Sequence, residues 1–160
     1  MHDDTIEPVT VTRRVRAPAH AIFELLATPS RHLDIDGSEM LRGADDGVIT
    51  GLGDEFLMRM YYEQFGDYVM KNVVVEFEPD RRIAWEPERH DVQDDEHWHH
   101  RWGFELVAVG DEATDVTEFY DCSRSPARAR EIIKNGTVWH AAMTRTLERL
   151  DELFANQGPA

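Results

Sequence analysis

Val9, Val11, Arg13 and Val15 alternate with Thr10, Thr12, Arg14 and Arg16, a period of two that predicts a half-buried first strand. Arg13 breaks its apolar face. Ala17-Pro18 sets a helix start, because proline at the first helical position gives up an N–H that would be unpaired anyway. Ile22, Phe23, Leu25 and Leu26 supply that helix's apolar side, and Pro29 is expected to stop it. From Ser30 to Gly53, Asp36-Gly37, Arg42-Gly43, Asp45-Asp46-Gly47, Gly51 and Gly53 mark a loop holding short strands at most.

Phe56, Met58, Met60 and Tyr62 then alternate with Leu57, Arg59 and Tyr61. After a turn near Gly66-Asp67, the run Tyr68 to Phe77 reads as the second arm of a hairpin. Pro79-Asp80 is a turn, Ile83-Ala84-Trp85 a short strand, and Pro87 to Glu96 a polar loop. His97 to Val109 reads as one long strand with Trp98, His100, Trp102, Phe104 and Leu106 on one face. Gly110-Asp111 turns it into a last strand, Thr114 to Cys122. After Ser125-Pro126 the period becomes helical: Ile132, Gly136, Trp139, Met143, Leu147, Leu150 and Phe154 fall three and four apart. This predicts one long amphipathic helix, weakest at Asn135-Gly136, where a kink or break is expected. Strand, helix, antiparallel strands and a long helix make an α+β fold in which the last helix covers one sheet face.

Composition narrows the picture. A chain of 160 residues is one ordinary domain, and no linker or repeat divides it, so residues 1–160 are expected to form a single domain with its core over about 9–154. Seventeen basic against thirty-two acidic residues give a net charge of −15, which repels phosphate backbones and anionic bilayers; nucleic acid is not an expected partner. No apolar run reaches the length of a membrane span or a signal peptide, so no membrane insertion is expected and a cytoplasmic location is the default. The single cysteine, Cys122, allows no intramolecular disulfide and reads as a small buried filler.

Several segments carry a resemblance. They are Val15-Arg16-Ala17-Pro18-Ala19, Pro29-Ser30-Arg31-His32 and Asp34-Ile35-Asp36-Gly37-Ser38. Further along come Phe77-Glu78-Pro79-Asp80-Arg81-Arg82-Ile83-Ala84-Trp85, Trp102-Gly103-Phe104-Glu105-Leu106 and Thr117-Glu118. In these the chain resembles the START-like (SRPBCC) helix-grip superfamily, in its bacterial polyketide cyclase/dehydrase-like branch. The resemblance implies about seven antiparallel strands curved around the C-terminal helix, with a ligand cavity between them. Members of that superfamily bind lipids, sterols, plant hormones or polyketides, and some only contact protein partners; such domains can also form homodimers. The motifs are structural, so fold alone does not choose among these roles.

Phe56, Met58, Met60, Tyr62, Trp98, Trp102, Phe104, Trp139 and Met143 make a face rich in methionine and aromatics, suited to a small hydrophobic or aromatic ligand, although each alone also suits a packed core. Asn72, His100, Glu118 and Tyr120 are polar residues in the same alternation. If Glu118 and His100 both face inward they are a candidate acid/base pair for a cyclase or dehydratase, with Tyr62 or Asn72 polarising a carbonyl. The alternative is that Glu118 pairs with Arg59 or Arg101. His90, His97, His99 and His100 with Asp94, Asp95 and Glu96 lack a third ligand at fixed spacing, so neither a metal nor a cofactor is expected. A third role is a protein-interaction module resembling a heat-shock-protein ATPase activator. A hollow of ~300 Å³ or more between sheet and helix favours the ligand readings over it.

Overall fold

A computed structural model describes residues 6–63, 66–90 and 97–157. Seven strands form one antiparallel sheet: β1 (Val9–Val15), β2 (Leu41–Ala44), β3 (Glu55–Tyr62), β4 (Gly66–Glu78), β5 (Arg82–Arg89), β6 (Arg101–Val109) and β7 (Ala113–Asp121). Their order is β1-β7-β6-β5-β4-β3-β2, so the last strand returns beside the first and every other neighbour is a sequential pair. The helices are α1 (Ala19–Leu26), α2 (Ala127–Ile132) and α3 (His140–Gln157), with 3-10 segments at Pro29–Asp34 and Lys134–Trp139. The sheet curls into a half-barrel, and α3 packs against its concave side: this is the α+β helix-grip arrangement. A bulge between Val74 and Glu76 bends the thirteen-residue β4.

The core follows the alternation. Val15, Phe56, Met58, Val74, Ile83, Trp85, Phe104, Leu106 and Val116 are buried together with Ile22, Leu25 and Leu26 of α1 and Leu147 and Leu150 of α3. A smaller cluster gathers Tyr120, Cys122, Ile133 and Met143 under half-buried Trp98, Trp102 and Trp139. On α3, Met143, Leu147 and Leu150 face inward at spacings of four and three, as one apolar stripe requires.

Arg13 is explained by a partner 138 residues away. Its guanidinium reaches Asp151 of α3 at 3.1 Å, and Asp151 also accepts the Arg16 N–H, which ties β1 to the helix that covers it. On the far side, the Asp36-Gly37-Ser38 loop lies directly on α3. The Gly37 N–H donates to Thr146 Oγ1 at 2.9 Å, Arg145 Nε donates to the Gly37 carbonyl, and Arg149 donates to that of Asp36. A β-carbon at Gly37 would stand 2.4 Å from the Ala142 carbonyl, so only glycine permits this approach.

Four expectations need correction. The C-terminal segment is not one long helix but breaks at the weak point the sequence marks. Lys134, Asn135 and Gly136 all have positive φ and split it into α2, a 3-10 turn and α3, which turns Ile133 inward and leaves Ile132 63% exposed. Pro18 caps α1 from just outside it rather than filling the first helical position, while α1 ends at Leu26, short of Pro29, which opens a separate 3-10 turn. β5 runs through Pro87 to Arg89; beyond Trp85 it has no β6 residue in register, so the missing proline N–H breaks no ladder bond on that side. β6 starts at Arg101, because His99 has φ 52° and ends the extended run, so Trp98 and His100 belong to no strand. Asp94, Asp95 and Glu96 lie outside the described residues.

Candidate functional site

The interior between sheet and α3 has an apolar end and an aromatic end. Phe56, Met58 and Phe104 are buried in the first with Trp85, a residue the alternation did not single out; Phe56 and Phe104 stand 5.6 and 6.2 Å from its ring. The signal available in the sequence was its place at the end of the apolar run Ile83-Ala84-Trp85. Met60 packs partly buried against that group, and Tyr62 is half-buried at the end of β3 opposite Gly66. Asn72, 2% exposed, donates its side-chain amide to the Phe56 carbonyl at 3.4 Å.

The aromatic end holds Trp98, His100, Trp102, Tyr120, Trp139 and Met143. Tyr120 is its centre, with ring centroids 4.4 Å from Trp102, 5.4 Å from His100 and 6.3 Å from Trp139. The left-handed turn fits over it: a β-carbon on Gly136, at φ 90°, would come within 2.6 Å of the Tyr120 ring. The Tyr120 hydroxyl lies 2.6 Å from His100 Nδ1. Burial pushes the imidazole down to about 4, helped by nearby His97, and pushes the phenol up, so the neutral ring accepts and the O–H donates. His100 keeps part of its surface open all the same.

Glu118 lies between the two ends. In register it faces Val11 of β1 and Phe104 of β6, and its neighbours along the same strand face are Val116 of the first cluster and Tyr120 of the second. It is 7% exposed, and its Oε1 has no hydrogen-bond partner among the described residues. Neither expected arginine reaches it: Arg101 is held on the outer face by Glu76 and Glu86, and Arg59 lies against Gly43. Burial first, and the negative charge of Asp36 second, push the Glu118 carboxyl well above the usual range. Trp139 Nε1 is likewise buried; it is near enough to the phenol to oppose that group's shift, yet meets no partner in hydrogen-bonding geometry. Glu118 and His100 thus both face the interior, but His100 is engaged by Tyr120 rather than by the carboxyl.

Most of the side chains expected to line the hollow are packed into these two clusters. Two concavities open instead at the surface, and neither supplies the ~300 Å³ expected between sheet and helix. One of about 240 Å³ lies on the outer sheet face around Arg82, Arg101 and Phe119; one of about 270 Å³ lies at the β2–β4 edge around Arg42, Met60 and Tyr68. Neither is lined by a residue of α3. His97 Nε2 contacts Glu88 at 3.0 Å and its Nδ1 accepts the His99 N–H, so the histidine segment binds itself; among the described residues no three metal-ligating side chains converge. Among them, too, no helix is long and apolar enough to cross a membrane.

Similar proteins share this frame. No family model matches the chain. It is 28% identical over 162 residues to the uncharacterised protein Rv0088 of Mycobacterium tuberculosis; the match takes in 92% of this chain but 65% of that one, so the chain spans less than two thirds of the relative's length. Among solved structures, protein Ms6760 of Mycobacterium smegmatis superposes with a TM-score of 0.71 at 16% identity, over 99% of this chain and 97% of that one. The ginseng major latex-like protein 151 of Panax ginseng does so at 0.63 and 12%, over 96% and 98%. At these identities the likeness is one of fold, and the fold is the helix grip.

Proposed function

We propose that residues 1–160 act as a single ligand-binding domain that takes a small hydrophobic or aromatic molecule between the sheet and α3, at the aromatic end. The observation that carries this reading is Glu118, a buried carboxyl group with an oxygen left without a partner at the junction of two apolar clusters. An unsatisfied buried polar atom costs about 1–3 kcal/mol, and a guest that supplies the missing hydrogen bond recovers part of that cost. Trp98, Trp102 and Trp139 are only half-buried, so a guest gains room when they swing outward rather than by opening the core below them.

Binding without turnover is favoured over a cyclase or dehydratase activity by the His100–Tyr120 bond, which turns Nδ1 of the imidazole to the phenol rather than to Glu118, its supposed acid/base partner. A thermal-shift screen against fatty acids, sterols, flavonoids and aromatic polyketides tests the reading, because a ligand that binds only the native state raises its melting temperature. The expected result is a shift that Trp139→Ala and Trp102→Ala lose while remaining folded. No shift across the panel would contradict it and turn attention to a protein partner.

A further inference from the structure

We propose that the interior is chemically selective: Glu118 acts as a hydrogen-bond donor, seconded by Trp139 Nε1, and the site takes an uncharged apolar guest bearing a carbonyl-type oxygen in preference to a pure hydrocarbon or an amine. The inference rests on the binding reading above and adds the chemistry of the guest.

Three observations carry it. Two of the buried unpartnered polar atoms belong to neighbours of Tyr120: Glu118, two residues away along β7, and Trp139, whose ring centroid lies 6.3 Å from that of Tyr120. An indole N–H donates and never accepts. Among the described residues no cation is paired with Glu118 to hold it as a carboxylate. Arg13, the arginine in the inward alternation of neighbouring β1, is taken by Asp151, and Asp36 adds a charge of the same sign. A buried carboxyl in such company keeps its proton, so its unused hydrogen-bonding capacity includes an O–H. Tyr120 offers no competing donor, since its hydroxyl proton is given to His100. The guest that answers two donors in apolar walls carries acceptors and no charge.

Three probes of one shape separate the possibilities: acetylnaphthalene, isopropenylnaphthalene and naphthylethylamine, attached at the same ring position, with affinities measured by calorimetry on the full chain at neutral pH. The ketone is expected to bind about tenfold more tightly than the hydrocarbon. Glu118→Gln, whose amide N–H still donates, keeps that preference, and Glu118→Leu, whose melting curve verifies folding, loses it. Equal affinity for ketone and hydrocarbon overturns the inference and leaves the binding reading intact. An amine that binds best also overturns it, since Glu118 would then act as an anion. If none of the three binds, the binding reading fails and takes this inference with it.

Discussion

Tyr120 and His100 share a 2.6 Å hydrogen bond at the mouth of the interior, and it fixes both side chains in one protonation state. Tyr120 is 1% exposed, so Tyr120→Phe removes the hydroxyl and keeps the packed ring. The expected cost is about 1–2 kcal/mol, measured by urea unfolding, because His100 Nδ1 then lacks its donor.

The burial of His100 makes the fold sensitive to acid. His100 titrates near 4 in the folded protein against its usual 6.5, so its contribution is complete above the unfolded value and is lost as pH falls through the folded one. His97 is the neighbouring charge that adds to the effect of burial. Between pH 6.5 and about 4 the protein is expected to lose on the order of 2 kcal/mol through this residue, part of the full shift being screened by its open edge. Denaturation midpoints across that window should flatten in His100→Gln.

Glu118 has the opposite sign. Its folded carboxyl lies above the ordinary value of 4.5, so its stability contribution is complete below that value and is lost as pH rises through the folded one. Glu118→Gln is therefore expected to melt higher than the parent at pH 7–8, with the difference vanishing toward pH 4. A variant that melts lower at neutral pH would show that the carboxylate has a partner.

The Arg13–Asp151 pair clamps β1 to α3, with Asp151 the more buried partner. Arg13→Leu completes the apolar alternation of β1 yet strands a carboxylate, and a loss of about 1–2 kcal/mol is expected, below the cost of a fully buried pair because Arg13 is partly open to solvent. Arg13→Leu with Asp151→Leu should regain most of it, and a double-mutant cycle reads the coupling.

Gly136 is the residue the aromatic end tolerates least as anything else. Its φ of 90° and the 2.6 Å approach to Tyr120 make Gly136→Ala costly twice over, by about 2–3 kcal/mol in thermal unfolding, with near-ultraviolet dichroism of the tryptophans changing as the turn lifts.

The strands were legible where one face is buried and the period of two survives, as along β3 from Phe56 to Tyr62 and along β7 from Thr114 to Tyr120. The stripe Met143, Leu147, Leu150 was legible for the same reason with a different period. Local backbone geometry was legible only in part: Asn135-Gly136 marked the weak point of the helix, but not the left-handed turn it adopts. Three consecutive left-handed residues at 134–136 and the turn at His99 interrupt patterns that their side chains continue, which misplaced Ile132 and the start of β6. Long-range pairing was equally hidden: nothing near Arg13 in sequence announces Asp151, and nothing near His100 announces Tyr120 as its partner instead of Glu118. The inward direction of Glu118 could be read from its strand; its lack of a partner depends on every element around it.

The most direct test of ligand binding at the aromatic end follows the four indole N–H resonances of Trp85, Trp98, Trp102 and Trp139 while acetylnaphthalene is titrated into the labelled protein. The account predicts that the Trp139 and Trp102 signals shift saturably and that the signal of Trp85, 6% exposed in the apolar end, moves least. Four unmoved indoles at saturating probe, or a response confined to Trp85, would contradict it.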